Sequence, residues 1–377
     1  MADRTISSLF DLAPRYLRST HLERDFHDPR ALDSYILTEH GRECLHTLAR
    51  SAHPGSTRRA LRLTGDYGSG KSSFALFAAH WLSGRAPALG AGVVGKLDYA
   101  AFDFTDQPRF VPVLVTGSRE PLGVAILRAL ARMLTEQRGR GPKSRLLAEV
   151  ESRLKTEPSD EDVERLLLAA TDKCIADGHS GLFLVLDELG KFLEFAAYHP
   201  ERQDVFLLQR LAEAAARSGK HPFLMVGLLH QAFDAYADTL SAATQREWEK
   251  IAGRFDEMLF DQPLAQVTEL MAAALRVDAS KLKGDLVEDA ARGFKAAREL
   301  GWLGASFGKA DPAAIAKRLY PIHATVLPVL VRVFSRFGQN ERSLFSFLLA
   351  HEPHSLQHFA GRSLNEAGSY RLPEFYD

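Results

Sequence analysis

The segment of the sequence best suited to chemistry is rich in glycine and reads Gly65-Asp66-Tyr67-Gly68-Ser69-Gly70-Lys71-Ser72-Ser73. Its first eight residues match the phosphate-loop pattern G-x-x-x-x-G-K-[ST] without a mismatch. The glycines let the backbone direct several N–H groups at phosphate oxygens, and a helix beginning near Lys71 adds the positive end of its dipole. Lys71 would contact the β- and γ-phosphates, and the Ser72 hydroxyl would coordinate Mg²⁺. A glycine-rich turn without a ligand is the alternative. Nucleotide binding is favoured, because an apolar run precedes the loop and a helical run follows it.

Two adjacent carboxylates, Asp187 and Glu188, follow the apolar run Gly181–Leu186. Ligands of open α/β sheets bind beyond the carboxyl ends of the strands, so we expect these carboxylates near the phosphate loop. Asp187 would hold Mg²⁺ through a water molecule, as a Walker B aspartate does. Glu188, which strand alternation would direct the other way, would polarise an attacking water as a general base. The alternative is an acidic helix N-terminus, where carboxylates are favoured whatever the chemistry.

Two further polar positions flank predicted strands. His230 and Gln231 follow the run Phe223–Leu229, where either would contact the γ-phosphate or the attacking water; a capped strand end is the alternative. Arg254 precedes the short run Glu257–Phe260 and would reach the γ-phosphate of a neighbouring subunit as an arginine finger. Arg246 is its competitor for that role, and a surface arginine is the alternative.

The elements that must position these residues alternate along the chain. Five strand-like runs are separated by amphipathic helical patterns, which predicts a mostly parallel sheet covered on both faces. The runs are Ala60–Thr64, Phe110–Thr116, Leu182–Leu186, Phe223–Leu229 and Glu257–Phe260, and the helical stretches include Ser72–Leu82, Leu122–Leu134 and Val205–Ala216. Ser159, with Asp162 three residues later, predicts a helix start. Residues 1–55 read as helices with loops, and no strand is predicted after Pro263.

Composition limits the class of protein. The 377 residues carry 47 Lys and Arg against 48 Asp and Glu, a net charge of −1, so the overall charge does not indicate a polybasic nucleic-acid binder. A hydrophobic share of 46% and only two cysteines exclude a disordered chain and a disulfide framework. No apolar run approaches the roughly 20 residues of a membrane span. We expect a soluble, cytoplasmic protein without a membrane partner.

The glycine-rich loop, the strand ending in Asp187-Glu188, the polar strand end at His230-Gln231 and the arginine before a short strand together resemble the AAA+ and STAND-type P-loop ATPases. The resemblance implies an ASCE-type α/β fold, with a three-layer parallel-sheet core followed by an all-helical lid. Within the helical region, Gly338–Phe345 resembles the sensor-2 helix of that superfamily, in which an arginine, here Arg342, reaches back to the nucleotide. The usual spacing from glycine to arginine is shorter, so Arg336 is the alternative.

Three segments resemble, more narrowly, the ATPase modules of large bacterial phage-resistance proteins such as the BREX-system ATPases: Ser19–Phe26, Asp187–Glu194 and Glu247–Phe255. Relatives of this kind are usually much longer, which implies an N-terminal fragment or a compact member. We predict four regions: a helical leader (1–55), the ATPase core (56–262), the lid (263–350) and a tail (351–377) that would begin a further domain.

The function that these residues imply is Mg²⁺-dependent ATP hydrolysis that changes conformation or assembly, with a role in anti-phage defence from the narrower resemblance. Arg254 would complete the site only in a homo-oligomer or larger complex, and DNA is left open as a partner. The alternative is a nucleotide-gated scaffold or switch that turns over little ATP and binds protein partners or DNA. A kinase-like phosphotransferase is less favoured, because nothing in the sequence suggests a second substrate pocket.

Overall fold

The structure is a computed structural model, and it describes residues 4–13, 20–28, 30–32, 35–85, 99–139, 141–202, 204–238, 240–261, 264–303, 311–337, 344–365 and 368–376. The chain forms two compact units. The α/β core consists of Thr20–Gly65 and Gly70–Phe260, and the helical unit consists of Met1–Ser19, Asp66–Ser69 and Asp261–Asp377. The predicted leader, residues 1–55, is therefore distributed over both units.

Seven strands are formed by the described residues: β1 (Phe10–Leu12), β2 (Ala60–Thr64), β3 (Phe110–Thr116), β4 (Gly181–Asp187), β5 (Phe223–Leu229), β6 (Asp256–Leu259) and β7 (Leu275–Val277). The α-helices of the same residues are α1 (Leu22–Asp25), α2 (Glu39–Ala52), α3 (Lys71–Leu82), α4 (Leu122–Arg138), α5 (Arg145–Arg153), α6 (Asp160–Ala176), α7 (Leu189–Tyr198), α8 (Val205–Arg217), α9 (Ala242–Ala252), α10 (Leu264–Ala274), α11 (Gly284–Glu299), α12 (Pro312–Leu319), α13 (Leu327–Phe337), α14 (Leu344–Leu349), α15 (Leu356–Ala360) and α16 (Leu372–Tyr376).

A parallel sheet of five strands, in the order β3-β4-β5-β2-β6, forms the middle layer of the core unit. Strand alternation sends Leu182, Leu184 and Leu186 into one apolar layer, while Phe183 and Val185 enter the other. The first layer is shared with α4, α6 and α8, and the second with α2 and α3. The predicted α/β fold of P-loop type is confirmed: β5 separates β4, which ends in Asp187, from β2, which leads into the phosphate loop.

The predicted strands agree closely with the observed ones. Three match residue for residue, β4 extends one residue beyond the predicted run at each end, and β6 begins and ends one residue early. Ser159 caps α6 as predicted, its hydroxyl accepting a hydrogen bond from the Asp162 N–H at 3.2 Å. β4 and β5 are buried along their whole length and α6 has a local cap, so the sequence of each determines it.

The prediction of no strand after Pro263 was wrong, and the leader, predicted as helices with loops, also contains a short strand. β1 and β7 form a two-stranded antiparallel sheet in which Phe10 pairs with Val277 and Leu12 with Leu275. Three residues are too few to show alternation, and the partner strand lies at the other end of the chain. Local sequence therefore carries no signal for this sheet.

A buried arginine side chain lies at the amino ends of the strands in the large sheet and donates hydrogen bonds to residues at two helix ends. Arg59, the residue before β2, is completely buried, and its guanidinium donates to the carbonyls of His53 (2.9 Å) and Pro54 (2.8 Å) and to the Ser218 hydroxyl (2.6 Å). His53 and Ser218 follow the last residues of α2 and α8, so the charge lies at the negative ends of two helix dipoles.

The helical unit contains α10–α16 together with β1 and β7, around an apolar core that includes Met271, Phe294, Leu327, Leu330 and Phe359. Within the described part of the chain, no helix has both the length and the apolar character to cross a membrane.

Candidate functional site

The phosphate loop leaves the sheet between two other strand ends. The Gly65 N–H donates to the Leu229 carbonyl at 3.1 Å, and a Cβ on Gly65 would lie 2.3 Å from the carbonyl oxygen of Phe260, so only glycine fits there. Gly68 and Gly70 have φ values of 73° and 94°, which side chains disfavour. α3 begins at Lys71 with Gly70 as its N-cap, so no cap side chain occupies the first-turn N–H groups. The loop therefore has the geometry of an anion cradle.

The polar side chains of the loop fit a phosphate ligand. Lys71 Nζ reaches across the loop and donates to the Gly65 carbonyl at 2.5 Å. The buried Ser69 hydroxyl has no hydrogen-bond partner among the described residues. An ammonium and an unsatisfied hydroxyl are groups that phosphate oxygens would engage.

The Ser72 hydroxyl donates to Asp187 Oδ1 at 3.1 Å, which joins the start of α3 to the carboxyl end of β4. The same Oδ1 accepts the Glu188 N–H at 2.9 Å. Asp187 is only 5% exposed, and burial raises its pKa to about 6, against the lowering effect of the Ser72 hydrogen bond. The Ser72 hydroxyl and the Asp187 carboxyl group are hard oxygen donors, which Mg²⁺ prefers. Burial disfavours the Asp187 anion, and the charge of a bound Mg²⁺ would stabilise it.

Glu188 does not continue the strand, so the expectation that strand alternation would direct it was wrong. Its φ of 50° and ψ of 40° are left-handed, and it is the N-cap of α7. Gly117, after β3, permits this turn, because a Cβ there would lie 2.3 Å from the Glu188 carbonyl oxygen. Glu188 Oε2 accepts from Lys191 Nζ at 2.5 Å, and its side chain is 42% exposed. A left-handed non-glycine residue is strained and typical of functional sites.

His230 follows β5, the strand between β4 and β2, and contacts Tyr236. The Tyr236 hydroxyl lies 2.9 Å from His230 Nδ1 and 3.3 Å from Nε2. Burial lowers the pKa of His230, and the Lys71 charge lowers it further. Both effects favour the neutral imidazole at this strand end.

Arg254 lies near the amino ends of the strands, whereas the phosphate loop follows the carboxyl end of β2. It precedes β6, whose first residue, Asp256, pairs with Leu61. Leu61 is four residues before Gly65, so Arg254 begins about 13 Å or more from the loop along the strand direction. Its guanidinium pairs with Glu213 at 3.3 Å and is half exposed.

The competing arginines have other surroundings. Arg246 Nε donates to the Ala242 carbonyl of its own helix at 3.1 Å. Arg336 belongs to α13. Arg342, the predicted sensor-2 residue, lies outside the described residues.

Sequence reasoning missed the contacts of the leader with the site. The Thr20 and Ser73 hydroxyls are 2.8 Å apart, and Glu23 Oε1 accepts the Thr116 N–H at 3.0 Å. Thr116 pairs with Asp187 across the sheet, and Glu23 also pairs with Arg132. Burial alone would raise the pKa of Glu23, but Arg132 and the Thr116 N–H together lower it. The resemblance of Ser19–Phe26 to other ATPases was the only signal in the sequence, and it pointed to packing of Phe26 and the surrounding leader against the adenine ring, not to these contacts.

Comparisons with known proteins return structural similarity without a family. No protein-family model and no curated protein matches the chain. The chain is similar to the ORC2 protein of Aeropyrum pernix in its ADPNP-ADP complexes (14% identity, TM-score 0.43, 89% of this chain and 71% of that one) and in its ADP form (14%, 0.43, 91% and 73%). It is also similar to the ORC1 protein of that organism in complex with DNA (16%, 0.39, 89% and 67%). At this level the similarity concerns the fold alone.

Proposed function

We propose that this protein is a Mg²⁺-dependent ATPase of AAA+ or STAND type, in which ATP binding and hydrolysis drive conformational change or assembly. The contact between Ser72 and Asp187, 3.1 Å apart directly beside Lys71, carries the proposal. It brings the Ser72 hydroxyl, the buried Asp187 carboxylate and the Lys71 ammonium together at a glycine-rich turn before a helix N-terminus. These are the groups that phosphoryl transfer to water requires.

The residues have separate roles in this proposal. The N–H groups of residues 65–73 and Lys71 bind the phosphates, while Ser72 and Asp187 would hold Mg²⁺. The metal, when bound, neutralises charge on the phosphate oxygens. Glu188 orients and deprotonates the attacking water, for which its carboxylate has to leave Lys191. His230 donates a hydrogen bond to the γ-phosphate or to that water.

Arg254 would serve a neighbouring copy, because it lies near the amino ends of the strands, whereas its own loop follows the carboxyl end of β2. The turnover per subunit should then rise with protein concentration. Equal mixtures of Arg254→Ala and Lys71→Ala chains should regain activity that neither has alone, since one supplies the loop and the other the arginine. Mixtures no faster than the sum of their parts would overturn this role.

The decisive experiment measures phosphate release and binding of a fluorescent ATP analogue by the wild type, Lys71→Ala and Glu188→Gln, with and without Mg²⁺. Lys71→Ala should lose both activities, and Glu188→Gln should keep binding while turnover falls about 100-fold or more. Lys220→Ala, an exposed lysine at the other end of the sheet, is the control. A wild type that releases no phosphate would overturn the proposal.

The second candidate is a nucleotide-gated switch with little turnover, and the ion pair between Lys191 and Glu188 favours it, because that pair occupies the general base. Glu188→Gln should then behave like the wild type. Duplex DNA added to each assay tests DNA as a partner: stimulation would indicate action on nucleic acid. Arg342 as a nucleotide contact, a cytoplasmic location and a role in anti-phage defence stay predictions from the sequence.

A further inference from the structure

A buried tyrosine hydroxyl lies against the histidine of the site. Tyr236 belongs to the short 3-10 turn Asp234–Ala237 after β5 and is 6% exposed. Its ring meets the His230 ring edge-on, with centroids 5.4 Å apart and planes at 84°. The hydroxyl is nearer to Nδ1, at 2.9 Å, than to Nε2, at 3.3 Å.

A glycine on a third element makes room for this hydroxyl. Gly190 lies in the first turn of α7, two residues after Glu188, and a Cβ there would be 2.3 Å from the Tyr236 hydroxyl oxygen. The Cε1 and Cζ atoms of the Tyr236 ring would lie 2.7 Å from the same Cβ. Glycine is a poor helix former, so its presence in a helix needs a reason. Gly190 does not have the positive φ that would require a glycine. The close approach of Tyr236 therefore accounts for this glycine.

A phenol hydroxyl can donate to Nδ1 or accept a hydrogen bond from it, and the direction of the bond determines where the imidazole carries its proton. A neutral imidazole has one N–H donor and one acceptor nitrogen, and its partners decide which is which. A phenol hydroxyl that donates to Nδ1 leaves the proton on Nε2. The Nε2–H is then a donor suited to an anionic phosphate oxygen or a water molecule. Without the hydroxyl, this influence on the tautomer is lost.

We propose that Tyr236 is a positioning residue, whose hydroxyl holds His230 as the Nε2–H tautomer for ATP hydrolysis, in the space that Gly190 leaves. This inference rests on the proposed ATPase function. Tyr236 acts through His230, so it should influence turnover and leave ATP affinity almost unchanged.

The test compares Tyr236→Phe, His230→Gln and the double variant. Tyr236→Phe keeps the ring and should lower kcat about tenfold while KM changes less than twofold, because one positioned hydrogen bond is lost. In the His230→Gln background the same substitution should have no further effect. Tyr320→Phe is the matched control, since it removes a buried hydroxyl that lacks a hydrogen-bond partner among the described residues.

Two kinetic outcomes would overturn the inference: an unchanged kcat in Tyr236→Phe, or an equal loss in the His230→Gln background. ¹⁵N NMR of the imidazole gives a readout that needs no activity. The wild type should show the Nε2–H tautomer, and Tyr236→Phe should show a mixture. A tautomer that the substitution does not change also overturns the inference, whereas a wild type that does not hydrolyse ATP overturns the proposed function alone.

Discussion

The two ends of the strands in the large sheet hold a buried charge in different surroundings. At the amino ends, Arg59 is completely buried and donates to three acceptors at two helix ends. At the carboxyl ends, burial disfavours the Asp187 anion, and Glu188 has a strained backbone. Burial disfavours the charge at both ends and also lowers the pKa of Arg59, but the guanidinium is held by acceptors of the fold, whereas the carboxyl end combines a disfavoured carboxylate with a strained backbone. Such features concentrate where a ligand would compensate them, which supports a site at the carboxyl ends.

The largest expected effect is that of Asp187→Asn, which should abolish turnover by about 100-fold or more because the metal loses its carboxylate. The folded pKa of about 6 lies above the ordinary 3.8, so the folded state binds the proton more tightly than the unfolded state. The wild type should therefore lose about 3 kcal/mol of stability as pH rises from about 4 to 6, and the variant should not. Denaturant titrations across this range check it; parallel pH curves would contradict the comparison.

The next effect should appear at the amino ends of the strands. Arg59→Met leaves two carbonyls and a hydroxyl without their donor, so the free energy of unfolding should fall by about 3 kcal/mol. ATP turnover per folded molecule should stay the same. The control is the neighbouring Arg58→Ala, which removes an exposed ion pair with Asp256 and should leave the stability almost unchanged. Equal losses in both variants would show that Arg59 does not specifically stabilise the amino ends of the strands.

A smaller effect is expected from Gly117→Ala. The added Cβ would meet the Glu188 carbonyl at 2.3 Å and displace the left-handed turn, so kcat should fall about tenfold while nucleotide binding persists. Gly55→Ala, where a Cβ would have nothing within 4 Å, is the control. A Gly117→Ala enzyme with normal kcat would mean that the placement of Glu188 is unimportant.

The smallest effect belongs to Lys191→Met. Its ion pair with Glu188 is short but nearly half exposed, and such pairs contribute only about 0.3–0.5 kcal/mol. Turnover should therefore rise by no more than about twofold. Steady-state kinetics at low and high salt measure this, because salt should produce the same small rise in the wild type. A tenfold activation would instead make the lysine a strong inhibitory element.

Elements with a strong local sequence signal could be predicted, whereas features that depend on contacts between distant segments could not. β4 and the phosphate loop were predictable, since one is an unbroken apolar run and the other a motif whose residues each have a local task. The backbone of Glu188 was not predictable, because Gly117, far away in sequence, decides where β4 ends. Nor was the pairing of Thr20 with Ser73 or of Tyr236 with His230. These contacts join elements through tertiary packing, and sequence periodicity records only which face of an element is buried.

The pairing of β1 with β7 has a consequence for the order in which the protein forms during synthesis. The core ends at Phe260, so every strand of its sheet has been made before the helical unit is complete. Phe10–Leu12, although made early, has to wait for Leu275–Val277, and Ile6 waits longer still for the Arg362 carbonyl. Domains generally fold as units during synthesis, and contacts distant in sequence form slowly. The five-stranded sheet of the core can therefore form while Phe10–Leu12 still lacks its partner strand.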